Sequence, residues 1–162
     1  MANYGGPFVP TPLEVVERML ELAGVRPDDL LFDLGAGDGR VVIEAARRRG
    51  ARGVGVELDP VLVERARAAA VMAKVADRVR FIEGDVLHAD VREASVVMVY
   101  LLPALLAQLG PKLRAELRAG TRIVSHDFGF ENWPHERLVQ FESEEKQRSM
   151  GFGTTQLRLY RT

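Results

Sequence analysis

Short apolar segments alternate with helical patterns along most of this chain, and this alternation restricts the fold more than any other feature of the sequence. The apolar segments begin near residues 31, 54, 79, 96 and 122. Most stretches between them repeat apolar residues at helical spacing, as from Arg40 to Arg49. Strands and helices that alternate in this way form a parallel sheet with helices on both faces. The sequence therefore predicts an α/β fold with a doubly wound sheet.

Both ends of the chain add elements to this pattern. Thr11 and Glu14 have the spacing of a capping box at the start of a helix over 12–23. The segments 136–142 and 154–161 alternate weakly, as expected for a terminal antiparallel pair. With this pair the sheet has seven strands, most of them parallel.

Two further helices carry local signals. Asp59 followed by Pro60 predicts a helix that begins at the proline. A second helix is predicted over 103–118, with an interruption at Gly110 and Pro111, because a proline inside a helix removes a backbone hydrogen bond.

Length and composition favour one ordinary globular domain. The chain has 162 residues, of which 47% are apolar and 28% charged, and it contains no cysteine. The lack of cysteine excludes disulfides, thiolate zinc sites and a cysteine nucleophile. The 22 basic and 23 acidic residues give a net charge of -1, whereas proteins that bind nucleic acid usually carry a basic excess. Nucleic acid is therefore disfavoured as a partner.

The first twelve residues have neither the basic nor the apolar region of a targeting signal. The longest apolar run, over 96–107, contains a proline and is shorter than the about 20 residues that a spanning helix needs. We expect a monomeric cytoplasmic protein of a prokaryote, or an organelle protein after processing, without membrane insertion.

The end of the first predicted strand carries the strongest candidate site, because ligands of open parallel sheets bind at the carboxyl ends of the strands. It runs into a loop with three glycines, which let a ligand approach the backbone. Arg40 stands where a dinucleotide-binding loop needs glycine or alanine, and two carboxylates disfavour a diphosphate. The loop predicts a ligand with a cationic group; a plain strand–helix turn is the alternative. The candidate residues are Asp33, Gly35, Ala36, Gly37 and Asp38.

The next two strand ends carry acids that suit an adenosine. Glu57 follows the first glycine by 22 residues, the separation at which a carboxylate reaches a ribose diol, and Leu58 lies beside it. Asp85 could accept from an adenine amino group while the Val86 amide donates to a ring nitrogen. The alternatives are a solvated glutamate and an ordinary turn.

The fourth and fifth strands end at Tyr100 and at His126–Asp127. The adjacent histidine and aspartate invite a catalytic pairing, but neighbouring residues of an extended chain point apart, so a polar loop is the alternative. His88 and His135 lack the spacing of metal ligands, and no metal is expected.

At these residues the chain resembles the class I, seven-strand S-adenosylmethionine-dependent methyltransferases. DLGAGDG, which begins at Asp33, looks like their first motif, Glu57 like their ribose acid and Asp85 like their adenine contact. The resemblance implies a Rossmann-like fold and the cofactor S-adenosyl-L-methionine, which becomes S-adenosyl-L-homocysteine.

A narrower resemblance covers nearly the whole chain. PFVPTP, DLGAGDGR, GVGVELDP, VYLLP and VSHDF occur in this order, as in the small archaeal protein lysine methyltransferases. Mitochondrial relatives in that family modify ATP synthase subunit c and the adenine nucleotide translocase. The resemblance implies an enzyme that methylates lysine side chains of a protein. A methyltransferase for a small molecule or RNA, and a non-catalytic adenosyl-binding module, are the alternatives.

The same resemblance divides the chain into a segment over the cofactor, residues 1–10, and one domain over 11–162. Thr11 would either cap the first helix or bind the cofactor's carboxylate. Tyr100 is the candidate wall of the acceptor channel. Phe8, His126 and Trp133 are candidate substrate contacts, and for Trp133 packing against the last strands is the alternative.

Overall fold

The computed structural model describes residues 8–162, and its framework is one sheet of seven strands. The strands are β1 (Leu30–Leu34), β2 (Arg52–Glu57), β3 (Val79–Glu83), β4 (Val96–Val99), β5 (Arg122–His126), β6 (Arg137–Glu142) and β7 (Thr154–Arg161). Their order across the sheet is β3-β2-β1-β4-β5-β7-β6. Strands β1 to β5 pair in parallel, whereas β7 runs antiparallel to both β5 and β6. The predicted doubly wound sheet with its terminal antiparallel pair is confirmed.

The described residues form five helices, and four of them pack against the two faces of the sheet. The helices are α1 (Leu13–Ala23), α2 (Arg40–Arg49), α3 (Pro60–Met72), α4 (Pro103–Glu116) and α5 (Glu144–Met150). Helices α1 to α3 share one buried apolar cluster with Leu31, and α4 shares the other with Phe32. Because these neighbours on β1 enter opposite clusters, both faces of the strand are buried, as is usual for a central parallel strand.

Strand β1 lies where the direction of winding reverses, with β2 on one side and β4 on the other. The loops that follow β1 and β4 therefore diverge and leave a crevice at this edge of the sheet.

Helix α4 corrects one expectation, since it continues through Gly110 and Pro111 without interruption. Its Leu106, Leu109 and Leu113 are buried on the sheet, and this packing holds both halves of the helix in line. A hydrogen bond lost at a proline is a smaller cost than three exposed leucines.

The expected capping box is also wrong. Helix α1 begins one residue later, with Pro12 at the N-cap and no side-chain cap. Glu14 instead accepts hydrogen bonds from the Ser143 hydroxyl and the Glu145 amide, at the start of α5. Glu14, the expected partner of Thr11 in the capping box, therefore joins α1 to α5 instead.

Helix α5 was not predicted. It has seven residues, too few for a periodic apolar pattern, and is defined by its ends. Ser143 accepts from the Lys146 amide at the N-cap, and Gly151 adopts a left-handed conformation at the C-cap.

Among residues 8–162 no helix is long and apolar enough to cross a membrane.

Candidate active site

A cavity of about 440 Å³ lies in the crevice at the carboxyl ends of β1, β2 and β4. This volume is in the range of small-molecule sites. The predicted cofactor residues all lie on its wall: Thr11, Asp33, Gly35, Ala36, Gly37, Asp38, Glu57, Leu58, Asp85, Val86 and Tyr100.

The glycine loop is folded back over β2. The amides of Gly35 and Ala36 both donate to the Val56 carbonyl at 2.9 Å, and the Gly37 amide donates to Glu57 at 2.9 Å. Gly35 and Gly37 have φ angles of +87° and +57°, which side-chain-bearing residues rarely adopt. The loop therefore exposes backbone to the cavity and leads directly into the N-terminus of α2.

Glu57, the last residue of β2, joins the glycine loop to the start of α3. One carboxylate oxygen accepts from Gly37, and the other accepts from the Asp59 amide at 2.8 Å. Each carboxylate oxygen can accept a second hydrogen bond, so two hydroxyl donors can still be bound. This capacity fits the predicted contact with a ribose diol.

Asp33 places a buried carboxyl group against the cavity. The residue is 6% exposed, and burial raises its pKa well above the ordinary value, with smaller contributions from the charges of Glu57 and Asp38. A cationic ligand group in this cavity would lower the pKa again by favouring the carboxylate. The electrostatics fit the expectation of a ligand with a positive charge.

Arg40 is a site residue that the sequence did not identify. Its guanidinium group binds both carboxylate oxygens of Asp38, and its Nη1 donates to the Thr11 carbonyl at 3.1 Å. The residue also lines the cavity. Two features of the sequence could have identified Arg40. It follows an aspartate by two residues, and it stands where a dinucleotide loop has glycine.

The described part of the N-terminal segment lies over the glycine loop. Phe8, Val9 and Pro10 line the cavity. The Phe8 ring packs so closely on Gly37 that a Cβ atom there would lie 2.3 Å from it. Residues 1–7 of the predicted segment lie outside the described residues.

The outer end of the cavity is formed by Leu58, Asp85 and Val86. Leu58 is an apolar side chain with 41% of its surface exposed. One oxygen of Asp85 accepts from the Leu87 amide at 2.9 Å, and the other faces His88 at 3.6 Å. An exposed apolar side chain beside an acid fits a flat base that carries an amino group.

A second cavity, of about 490 Å³, adjoins the first and is here named the acceptor groove. The two cavities share Val9, Tyr100 and Leu101. The groove is lined by Val9, Tyr100, Leu101, Leu102, Asp127, Phe128, Met150, Phe152, Thr154 and Gln156.

Tyr100 separates the two cavities and stacks on His126, with ring centroids 3.8 Å apart. His126 is the last residue of β5 and is fully buried, so the polar-loop interpretation does not describe it. Its Nε2 lies 3.6 Å from Asp127, beyond hydrogen-bond distance. Burial lowers the pKa of His126 to about 4, so the ring is neutral at neutral pH. It supports Tyr100 from behind and is not on the wall of either cavity.

Trp133 lies apart from both cavities. It is buried against Phe130 and Tyr160, with ring centroids 5.3 Å away in each case. Trp133 is therefore a packing residue against the last strands, which was the alternative to a substrate contact. Phe8, by contrast, lies on the first cavity.

Comparison with known proteins identifies the family. A family model for the ANTKMT methyltransferase domain matches residues 33–137, more than half of the chain. The chain belongs to this family of methyltransferases. The match begins at Asp33, the first residue of the glycine-loop motif, and extends into β6.

Curated relatives of this methyltransferase carry lysine methyltransferase names. It is 41% identical to a protein-lysine N-methyltransferase of Saccharolobus islandicus, over 84% of this chain and 85% of that protein. It is 39% identical to the adenine nucleotide translocase lysine N-methyltransferase of Mus musculus, over 78% of this chain. The aligned region is 55% of that mouse protein, so the chain corresponds to about half of its length.

A solved structure of a Salinibacter ruber protein, described as an RNA methyltransferase in complex with S-adenosyl-L-homocysteine, is 48% identical to this chain. The TM-score is 0.86, and the match covers 94% of this chain and 93% of that one. A geranyl diphosphate C-methyltransferase of Streptomyces coelicolor matches with a TM-score of 0.73 at 16% identity, a likeness of fold alone. The fold is therefore the Rossmann-like fold of the class I methyltransferases.

The cofactor of this methyltransferase is S-adenosyl-L-methionine, and the residues of the first cavity fit it. Asp33 would face its positively charged part, Glu57 would hold the ribose hydroxyls, and Asp85 with Leu58 would contact the adenine. Thr11 and the first turn of α2 lie where they could receive its carboxylate.

Proposed function

We propose that this methyltransferase transfers methyl groups to lysine side chains of proteins. The observation that carries the proposal is the acceptor groove, which meets the cofactor cavity at Tyr100. Its walls are mainly apolar, and among the described residues that line it Asp127 alone carries a charge. A lysine has a long apolar stem and a small polar head, which suits an apolar groove with a single charged group on its wall. The lysine methyltransferase names of two relatives support the same substrate class.

Bound S-adenosylmethionine supplies a methyl group on a positively charged sulfur. A lysine acceptor must first release a proton to solvent, because only the neutral amine has a free electron pair. The amine nitrogen then forms a bond to the methyl carbon as the bond from that carbon to sulfur breaks, and the positive charge passes to nitrogen. With an ordinary lysine pKa of about 10.4, deprotonation at pH 7.5 costs about 4 kcal/mol. The site must therefore favour the neutral amine.

The chain's own residues align the acceptor. Tyr100 is half-buried between the two cavities, and burial raises its pKa, with a smaller contribution from the Asp127 charge. Tyr100 therefore stays neutral and forms a wall for the amine. Leu101 lies beside it as a buried apolar side chain on the wall of both cavities. Alignment of the acceptor with the methyl group is the main contribution that a protein makes to an in-line displacement.

RNA is a second candidate acceptor, because the Salinibacter ruber relative is described as an RNA methyltransferase. The cluster of basic residues on α2 gives this candidate little support. Arg48 and Arg49 pair with Glu17, and Arg47 pairs with Glu44. These ion pairs neutralise much of the patch that could attract phosphates.

The proposal is tested by incubating the enzyme with methyl-tritiated S-adenosylmethionine and three fractions of one lysate. The fractions are protein treated with ribonuclease, RNA treated with protease, and filtered small molecules. Label in the protein fraction, located on lysine by mass spectrometry, is expected. Label confined to RNA or to the small molecules would contradict the proposal, and cofactor binding without any label would indicate a non-catalytic module.

A further inference from the structure

Asp127 is held in a fixed orientation at the acceptor groove. Its φ angle is +63°, a strained conformation that aspartate tolerates better than most residues and that is frequent at functional sites. Its amide donates to the Gln156 carbonyl at 2.7 Å, and its carbonyl accepts from Arg158 at 2.6 Å. One carboxylate oxygen accepts from the Gln156 amide at 3.1 Å. The carboxylate, 18% exposed, is thus fixed where the groove is polar.

Lys146 of α5 binds the other carboxylate oxygen of Asp127 from inside the protein. The side chain of Lys146 is fully buried. Its ammonium group also donates to the Thr154 carbonyl at 3.1 Å and to the Thr155 hydroxyl at 3.4 Å, so its three protons have three acceptors. The ring of Phe152, which lines the groove, lies 5.4 Å from the ammonium nitrogen.

A buried ion pair such as Lys146–Asp127 needs a reason, because a pair of well-packed apolar residues of similar volume often stabilises a core as well or better. The local hydrogen bonds do not require a charge here, because a neutral polar residue could accept from the Gln156 amide and a neutral donor could bind the Thr154 carbonyl. The reaction does supply a reason. A lone carboxylate at the groove would attract the acceptor as an ammonium ion and would oppose its deprotonation.

We propose, on the basis of the proposed lysine substrate, that Lys146 is a positioning residue that neutralises Asp127. The Asp127 carboxylate can then accept a hydrogen bond from the acceptor amine without holding that amine in its protonated, unreactive form. Lys146 acts through Asp127, and Asp127 is the group that touches the substrate.

The other titratable groups around Asp127 do not alter this balance. His126, behind Tyr100, is neutral at neutral pH because burial lowers its pKa to about 4. Tyr100 also stays neutral, since burial raises its pKa. Arg158 contacts the Asp127 carbonyl and adds positive charge. Asp127 and the two cations that contact it, Lys146 and Arg158, therefore carry no net negative charge, which favours the neutral amine.

The test is the pH dependence of a single turnover, with the ribonuclease-treated protein fraction in excess over enzyme and labelled S-adenosylmethionine. Under saturation this rate reports ionisations in the bound complex. For Lys146→Met, the rising limb is expected to move to higher pH by about one pH unit, which lowers the rate at pH 7 about tenfold. For Asp127→Asn it is expected to move to lower pH, and the double variant should return it close to the wild-type position.

Lys112→Met is the matched control, because Lys112 pairs with Glu116 on the surface of α4, away from the groove. The rising limb of the pH–rate profile of this variant should stay at the wild-type pH. The proposal would be overturned if the Asp127 and Lys146 variants lost rate equally at every pH, or if the rising limbs of their pH–rate profiles did not move. Either result would indicate a structural role. If Lys146→Met does not fold, Lys146→Gln replaces it, because glutamine can still donate a hydrogen bond to Asp127 but carries no charge, and the same shift to higher pH is expected. A wild-type enzyme that labels no lysine contradicts the proposed function itself, whereas an active wild type with unmoved limbs contradicts only the role of Lys146.

Discussion

Arg40 donates a hydrogen bond to the backbone carbonyl of Thr11 at 3.1 Å, across 29 residues of sequence. The same guanidinium group binds Asp38 in the glycine loop. The segment that enters α1 and the loop that leads into α2 are thereby joined at the edge of the cofactor cavity. Because Phe8, Val9 and Pro10, which precede Thr11, also line that cavity, this contact anchors the segment that carries them beside the glycine loop.

Replacement of Arg40 by alanine should weaken S-adenosylmethionine binding about tenfold or more. Hydrogen bonds to a charged partner contribute about 1.5–3 kcal/mol, and here they fix the loop that forms the site. Isothermal titration calorimetry measures the effect. Arg92→Ala is the matched control, because Arg92 binds Asp90 through the same Asp-x-Arg geometry on the exposed surface. Equal affinities for the two variants would contradict the role of Arg40.

Glu57→Ala should weaken cofactor binding by about 2–3 kcal/mol, the loss expected if its carboxylate accepts hydrogen bonds from two ribose hydroxyls. The fold should persist, which circular dichroism checks. Glu83→Ala is the control: Glu83 pairs with Glu57 in register at the end of the neighbouring strand and is exposed. A folded Glu57→Ala enzyme with near wild-type affinity would remove Glu57 from the site.

Most of the residues that line the first cavity could be predicted from the sequence because they lie at the ends of strands or directly after them. Asp33 and Glu57 each lie at the end of an apolar run, so a local pattern places them at the same edge of the sheet. The contacts of Arg40 with Thr11 and of Lys146 with Asp127 join residues 29 and 19 positions apart. They depend on how α1 and α5 pack, and no local pattern encodes this packing.

The capping-box error has the same physical origin. Thr11 and Glu14 satisfy the local rule, but Glu14 has a competing partner in Ser143, 129 residues away. A tertiary hydrogen bond of this kind replaces a local one at no loss in number, so sequence spacing cannot distinguish the two.

The rate of methyl transfer to protein should rise with pH from 7 to 9. The acceptor lysine must lose a proton before attack, and the neutral fraction of the amine grows with pH below its pKa. Single-turnover measurements with labelled cofactor follow the chemical step. A flat profile, with the chemical step shown to limit the rate, would argue against an amine acceptor.

Deletion of residues 1–10 should lower turnover on a protein substrate at least about tenfold, equivalent to about 1.4 kcal/mol of barrier. Phe8, Val9 and Pro10 line the cofactor cavity, and Val9 also lines the acceptor groove. The unfolding temperature without cofactor should change little, because Phe8 and Pro10 are exposed. A deletion of residues 1–7 alone is the comparison that isolates these three residues. Full turnover after the longer deletion would contradict their role at the site.

Asp33→Asn should stabilise the cofactor-free protein above about pH 4 and weaken cofactor binding. Burial raises the pKa of Asp33 in the folded protein above its ordinary value of 3.8. Such a group adds stability below its unfolded pKa, and this contribution is lost as pH rises through the folded pKa, because a buried charge must then form. The asparagine side chain has nearly the same shape and does not ionise.

The unfolding temperatures of the two proteins, measured from pH 4 to pH 8, should therefore diverge as pH rises, with Asp33→Asn the more stable. With saturating S-adenosylmethionine at pH 8 the order should reverse, because the cationic cofactor stabilises the Asp33 carboxylate and binding adds stability only to the folded state. Parallel temperature curves would show that Asp33 does not carry a destabilising charge. A variant that binds the cofactor as tightly as the wild type would show that this carboxylate does not face the cofactor's positive charge.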